Sequence, residues 1–321
     1  MNVYIAYDTS CYATSVAAVN ENSQILANSK MMLPVDIGKR GLRQSEAVFM
    51  HLRQINKVLS KVLINIDNIK NTIAGVGASE TPRSVINSYM PVFEVGKEFA
   101  VNLSKTLDVP YVGTSHQNGH IEAAKYNSGL NNKKFLAFHI SGGTTELLKI
   151  DDKQITIIAK TLDISAGQLI DRVGVAMGLP FPSGSHMENL AVKVRNPLIS
   201  PCLKSSLAKN RLDCNFSGAE TAALSLIGNM ENEMLAYELF SLIVRTTGKM
   251  INTASASEGI NDVLIFGGVA SSNLYRKLII DRLKKLNNNI KVYFGDNDLS
   301  GDNAVGVALI TMKEITGGNN E

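Results

Sequence analysis

Phe135-Leu136-Ala137-Phe138-His139-Ile140 leads into Ser141-Gly142-Gly143-Thr144-Thr145 and on into Glu146-Leu147-Leu148-Lys149-Ile150. An apolar run of strand length enters a tight polar turn, and a second apolar run leaves it. The start of the chain uses the same pattern: residues 3–7 are strand-like, Asp8-Thr9-Ser10-Cys11 is a small polar turn, and an apolar run continues to Val19. Turns made of Gly, Ser, Thr and Asp let backbone N–H groups approach an anion closely, because little side-chain bulk intervenes. Two copies in one chain predict two related lobes that grip one phosphate-bearing ligand from opposite sides.

The first half reads as strands at 3–7, 13–19 and 24–28, then a helix over 45–63. In that helix Val48, Leu52, Ile55, Leu59 and Val62 recur at helical spacing, with Ser45 as N-cap. A buried-type strand at 73–76, helices at 84–89 and 94–107, and a short strand at Pro110-Tyr111-Val112 follow. A helix over 114–126 carries His116 and His120. After the 135–150 unit, helices are predicted at 169–177, 186–194, 217–226 and 234–254. A strand at 263–266 runs into Gly267-Gly268, followed by a helix from Asn273, a strand at 290–294 and a last helix from Asn303. Strands alternating with helices argue an α/β fold.

At 321 residues the chain is long enough for two domains, and 45% hydrophobic with 19% charged residues is a soluble globular composition. The net charge of +3 neither demands nor excludes a nucleic-acid partner. Basic clusters occur at Lys39-Arg40 with Arg43, at Lys133-Lys134, and at Arg276-Lys277 with Arg282, Lys284 and Lys285. Each reads as a solvated face or as a basic patch. Cys11, Cys202 and Cys214 have neither metal-type spacing nor the look of a disulfide framework. The strand-like start leaves no room for a signal peptide, and no apolar run reaches the ~20 residues of a membrane span. The expectation is a reduced, cytoplasmic protein with no membrane partner.

Four constellations could carry chemistry. The 141–145 turn is a phosphate-site candidate, and a plain hairpin turn accounts for it equally. Gly267-Gly268 ends a buried strand and precedes a helix, where ligands of open α/β sheets collect. His116 and His120 are four apart, which on a helix puts both imidazoles on one face, able to share a metal. The sequence His116-Gln117-Asn118-Gly119-His120 lacks the glutamate of a zinc-peptidase motif, which argues against a peptidase. The best distant third ligand is Asp302, for which helix capping is the competing role. Asp171 could accept hydrogen bonds from ribose hydroxyls, or form a surface ion pair.

The ordered set of motifs resembles the TsaD or YgjD family of tRNA threonylcarbamoyl transferases, once called O-sialoglycoprotein endopeptidases (peptidase family M22). Asp8-Thr9-Ser10-Cys11 is similar to the family's ETSC, residues 116–120 to its HMEGH, and Ser141-Gly142-Gly143 with Thr145 to its SGGHT. Ala166-Gly167, Asp171 and Pro182-Ser183-Gly184 follow its AGE, FDK and YPGG stretch. Phe216-Ser217-Gly218, Gly267-Gly268-Val269-Ala270 and Gly301-Asp302-Asn303-Ala304 complete the order. The resemblance spans almost the whole chain.

It implies the ASKHA (actin/sugar kinase/Hsp70-like) fold, with a duplicated core in two lobes and an interlobe nucleotide cleft. The lobes are expected at 1–113 and 114–302, with a helix at 303–316 packing back on the first. The resemblance makes His116, His120 and Asp302 ligands of one divalent metal, iron or zinc. It makes Ser141, Gly142, Gly143, Thr144, Thr145, Asp171 and Gly184, with Ser272 and Asn273, the contacts of an adenine nucleotide. It implies transfer of threonylcarbamoyl from threonylcarbamoyl-adenylate to the exocyclic amine of the adenosine beside the anticodon, assisted by the metal. The implied partners are tRNA, a smaller related subunit and an ATPase partner, with no DNA.

The chain also departs from the family pattern. Tyr12 and Ala13 stand where the family has two acids, so the catalytic residues are left unassigned. Thr144 replaces a histidine, Glu220 a lysine, and Ser272 an asparagine for which Asn273 could substitute. Glu80-Thr81-Pro82-Arg83 is bulkier than the family's glycine-rich segment. These departures mark a divergent paralogue. Two alternatives stand beside transfer: another nucleotide-dependent reaction, or a catalytically weak nucleotide-binding scaffold subunit.

Overall fold

The structure is a computed structural model, and it describes all residues except 35–41, 67–71, 86, 153, 209–211 and 318–321. Lys39-Arg40 therefore lies outside the described residues. In chain order the first elements are β1 (Val3–Thr9), β2 (Ala13–Asn20), β3 (Ile25–Met32), α1 (Gln44–Leu63), β4 (Ile73–Thr81), α2 (Val92–Leu107), β5 (Tyr111–Ser115) and α3 (His116–Lys125). Next come β6 (Lys134–Ile140), β7 (Thr145–Asp151), β8 (Gln154–Lys160), α4 (Ala166–Ala176), α5 (Gly184–Ala191), β9 (Ser206–Leu207), β10 (Cys214–Asn215) and α6 (Ser217–Leu226). The chain closes with α7 (Asn232–Glu258), β11 (Asp262–Phe266), α8 (Asn273–Leu286), β12 (Lys291–Phe294) and α9 (Val305–Gly317). Two compact units result: Met1–Tyr126 with Gly301–Glu321, and Asn127–Ser300.

Each unit holds a five-stranded sheet on the same plan. In the first, β1, β2 and β3 form an antiparallel meander, and β4 and β5 add in parallel beside β1, giving the order β3-β2-β1-β4-β5. In the second, β6, β7 and β8 form the meander, and β11 and β12 add in parallel beside β6. The repeated strand–turn–strand motif is thus the visible part of a repeated sheet.

Strand parity sets what each face of the first sheet carries. Val3, Ile5 and Tyr7 join Val16, Ala18, Ile55, Val58 and Val62 in one core with Val95 and Ala100 of α2. Tyr4, Ala6 and Asp8 point the other way. On that opposite face a Cβ on Gly75 or Gly77 would run into Ile315 or Thr311 of α9, so these two glycines let α9 lie directly on the sheet. In the second unit Leu136, Phe138 and Ile140 pack with Leu169, Ile170 and Val173 of α4 and with Leu239, Ile243 and Ile251 of α7.

Several expectations are corrected. The division falls after Tyr126, not near 113, because α3 packs on α9 within the first unit. Where a helix is expected at 84–89, residues 82–85 are bends and 87 is a turn. Their polar groups instead reach α3: the Gln117 N–H donates to Pro82 O at 3.1 Å, and Ser84 Oγ donates to Ser115 Oγ at 2.9 Å. Helix α1 is capped at Arg43, whose N–H donates to the Glu46 carboxylate at 3.3 Å; Ser45 is exposed in its first turn. Its buried stripe is Ala47, His51, Ile55, Val58 and Val62, and Leu52 is half exposed. The stripe is rotated because His51 has polar partners inside the unit. No helix among the described residues is long and apolar enough to cross a membrane.

Candidate metal centre and nucleotide turns

Helix α3 starts cleanly because Ser115 Oγ accepts the Asn118 N–H at 3.1 Å, a standard N-cap. His116 and His120 follow on one face, one turn apart. Between them sits Gly119, and α9 crosses it at Gly306. A Cβ on Gly306 would lie 2.7 Å from the Gly119 carbonyl carbon and 2.8 Å from Ala123 N; one on Gly119 would lie 2.9 Å from Val307 Cγ2. The two backbones therefore touch at Gly306, where only glycine fits, while a Cβ on Gly119 would press on the Val307 side chain. This crossing brings the residue ahead of α9 to the histidines.

That residue is Asp302. It does not cap α9; Asn303 does, its Oδ1 accepting the Val305 N–H at 3.0 Å. The Asp302 carboxylate is left for the imidazoles. Its Oδ1 lies 3.3 Å from His120 Nε2 and 3.7 Å from His116 Nε2, and the two Nε2 atoms are 3.0 Å apart. Donor atoms of the three residues lie within 4.8 Å of one another, and two imidazoles with a carboxylate suit a divalent transition metal. Burial pulls the His116 pKa down, but Asp8 and Asp302 outweigh it and lift it to about 9. Burial pushes Asp302 up, but the bond to His120 and the charges of both histidines hold it below the usual carboxylate range. The cluster is built to hold positive charge.

The β1–β2 turn surrounds it. Asp8, 1% exposed, has its Oδ1 and Oδ2 at 2.9 and 3.0 Å from His116 Nδ1, and Ser79 Oγ donates to its Oδ1. Ser10 Oγ donates to Asp302 Oδ2 and accepts the N–H groups of Tyr12 and Ala13 at 3.2 Å. Thr9 Oγ1 donates to Val92 O at 2.8 Å and accepts the Gly96 N–H at 3.1 Å. The ring of His51 joins Ser10 O at 2.9 Å and Thr14 Oγ1 at 2.7 Å. The side chains expected to grip a phosphate are spent inside the first unit.

The second turn is different. Gly142 and Gly143 are exposed, with open space where a Cβ would stand. The turn is locked from behind by the start of α4. Ser165 Oγ donates to Gly142 O at 2.6 Å, the Ala166 N–H donates to Thr145 Oγ1 at 2.9 Å, and the Gly167 N–H donates to Ser141 O at 3.2 Å. A Cβ on Gly167 would stand 2.6 Å from Gly142 Cα, so the fit needs glycine. Thr144 continues the turn, its N–H donating to Ser141 Oγ at 3.1 Å. Beside it the Val269 N–H donates to Ile140 O at 3.1 Å, and Gly267 takes a φ of +105°. The 141–145 and 267–268 turns thus lie together at the C-terminal ends of the parallel neighbours β6 and β11, where α/β sheets collect ligands.

Of the other expected contacts, Asp171 accepts the Ser183 N–H at 2.8 Å just ahead of Gly184, and burial pushes its pKa up. Its neighbour Arg172 makes the ion pair, with Glu220 at 3.1 Å, so the glutamate that replaces the family lysine is neutralised locally. Ser272 Oγ accepts the Tyr275 N–H at 3.1 Å as the N-cap of α8, a structural bond that sequence reading missed; Asn273 is exposed. Arg276 is tied to Ala270 O, Gly295 O and Asn297, so it straps loops together. Ala13 is fully buried in β2, and the Tyr12 ring is 61% exposed; neither offers an acid.

Two units on one strand plan, the second with paired glycine turns at its strand ends, define the ASKHA class. The chain is similar to a ROK family glucokinase from Streptomyces griseus solved with glucose and AMPPNP, at 11% identity and a TM-score of 0.55, covering 97% of this chain and 100% of that one. Residues 38–309 match the model of the TsaD family, described as tRNA N6-adenosine threonylcarbamoyltransferase, and the chain belongs to that family. Relatives named tRNA N6-adenosine threonylcarbamoyltransferase include one from Prochlorococcus marinus, 28% identical over 98% of this chain and 91% of its own length. Another from Syntrophotalea carbinolica is 27% identical over 98% of this chain and 92% of its own.

Proposed function

We propose that this protein transfers a threonylcarbamoyl group from threonylcarbamoyl-adenylate to the exocyclic amine of an adenosine in tRNA. The observation that supports this most is the convergence of His116, His120 and Asp302 in a member of this family. The amine nitrogen attacks the carbamoyl carbonyl carbon, the new C–N bond replaces the C–O bond to phosphate, and AMP leaves with the electron pair. The amine proton passes to the leaving phosphate or to solvent, since positions 12 and 13 carry no carboxylate. His116, His120 and Asp302 would hold one divalent metal, iron or zinc, which when bound supplies Lewis-acid polarisation of the carbonyl.

The exposed backbone of Gly142 and Gly143, with Ser141 and Thr144, holds the adenylate phosphate; Thr145, expected beside them, is buried and bonded to the Ala166 N–H, so it braces the turn from behind. Asp171 and Asn273 are the polar groups left to meet its ribose and base, and Gly184 lets the nucleotide approach the start of α5. Exposed Phe49 and Leu52 on α1 are the face for a smaller related subunit, with an ATPase partner completing the system.

The test is complementation in cells depleted of the resident enzyme, read by mass spectrometry of tRNA nucleosides. Restored threonylcarbamoyl-adenosine is expected. Soluble, abundant protein that restores none, with its partner subunits co-expressed, would overturn the reading.

A further inference from the structure

We infer that the β1–β2 turn is the outer shell of the metal centre, and that Asp8 is the positioning residue that sets how His116 presents its ring. This rests on the reading of His116, His120 and Asp302 as metal ligands, and deepens it.

Asp8 shares a face with Tyr4 and Ala6, the face covered by α9, and ends β1 beside the residues that precede that helix. A buried carboxylate is costly unless it is fully hydrogen-bonded. Asp8 is almost completely buried, and its bonds go to Ser79 Oγ and to His116 Nδ1. An imidazole whose Nδ1–H is held by a carboxylate has only Nε2 left as a ligand atom. His116 Nε2 is the atom that faces His120 and Asp302. Asp8 therefore selects the tautomer, fixes the ring rotation and raises the basicity of the ligand nitrogen, as outer-shell carboxylates do for metal-binding histidines.

Ser10 performs the matching task for Asp302. By donating to Oδ2 it divides the carboxylate, leaving Oδ1 toward both imidazoles. The turn is stiff enough for this. Ser10 Oγ also takes two backbone N–H groups, Thr9 is bonded to α2, and His51 holds Ser10 O. One short turn thus hands an outer-shell bond to each of two ligands from parts of the chain 108 and 292 residues away.

The test uses the full chain and Zn2+ alone, with affinity read by chelator competition. Asp8→Asn keeps shape and removes charge, and is expected to weaken zinc binding about 10- to 100-fold. Ser10→Ala and Ser79→Ala are expected to weaken it by a smaller factor. His120→Ala separates the two levels. If it leaves zinc affinity unchanged, the metal reading itself falls. If it weakens binding while Asp8→Asn binds as wild type, the positioning role is overturned and the metal reading stands. Should Asp8→Asn fail to fold, nitrogen NMR of the zinc-loaded wild type decides: a protonated Nδ1 and metal-bound Nε2 on His116 are expected, and the reverse overturns the inference.

Discussion

Substituting Gly306 by alanine tests how the metal centre is assembled. The new Cβ would overlap the Gly119 carbonyl oxygen outright, and would stand 2.7 Å from the Gly119 carbonyl carbon and 2.8 Å from Ala123 N, where ordinary contact begins at 3.4 Å. The obstacle is helix backbone, which has no rotamer to yield. Helices α3 and α9 must separate by at least about 0.7 Å at the crossing, several times the ~0.2 Å tolerance of a metal site. Alanine would gain about 1 kcal/mol from helix propensity, but overpacking of this kind costs about 1–3 kcal/mol. The net expectation is a modest loss of stability with a disproportionate loss of metal binding, about 10-fold or more. Urea unfolding without metal measures the first, and chelator competition with Zn2+ the second. Gly218→Ala is the control, because nothing lies within 4 Å of its Cβ position. Wild-type stability and wild-type zinc affinity in Gly306→Ala would refute the idea that the glycine crossing sets the Asp302 approach.

Three further predictions follow from the same reasoning. Gly167→Ala pushes on Gly142 and should weaken AMP binding at least about 10-fold by calorimetry, while zinc affinity stays at the wild-type value. Ser272→Ala removes the cap of α8 and should cost about 0.5–2 kcal/mol in denaturant, with AMP affinity unchanged; a large loss of AMP binding would restore Ser272 as a nucleotide contact. Burial lowers the His51 pKa below its ordinary 6.5, so the unfolded chain binds the proton more readily than the native one. Its contribution to stability is therefore complete above about pH 6.5 and lost as the pH falls below it. His51→Gln should flatten that acid limb, and an unchanged pH profile would show that His51 is not held neutral.

Much of the fold was legible because the sheet repeat is carried by local patterns. The runs at 3–7 and 135–140 and the turns that follow them announce the two meanders, and the two parallel strands added to each follow from the strand–helix alternation. The spacing of His116 and His120 was equally local. What escaped were relations set by tertiary packing. The phase of α1 turned on His51, whose partners Ser10 and Thr14 are some 40 residues away. Asp8 sits in a turn that looks like a phosphate grip, and only strand parity together with α3 and α9 shows that its carboxylate faces His116. The equivalence of the two polar turns was a reading of composition. Their difference lies in where the side chains go: inward to histidine and aspartate at residues 8–10, and nowhere at all at Gly142 and Gly143, which have none.

Transfer of labelled threonylcarbamoyl from the adenylate to tRNA, with the partner subunits present, is the decisive measurement, comparing wild type with His120→Ala. The wild type should release AMP in step with modified adenosine, and the variant, with a metal ligand gone, should run at least ~100-fold slower. No transfer by the wild type, or equal transfer by both, would contradict metal-assisted transfer.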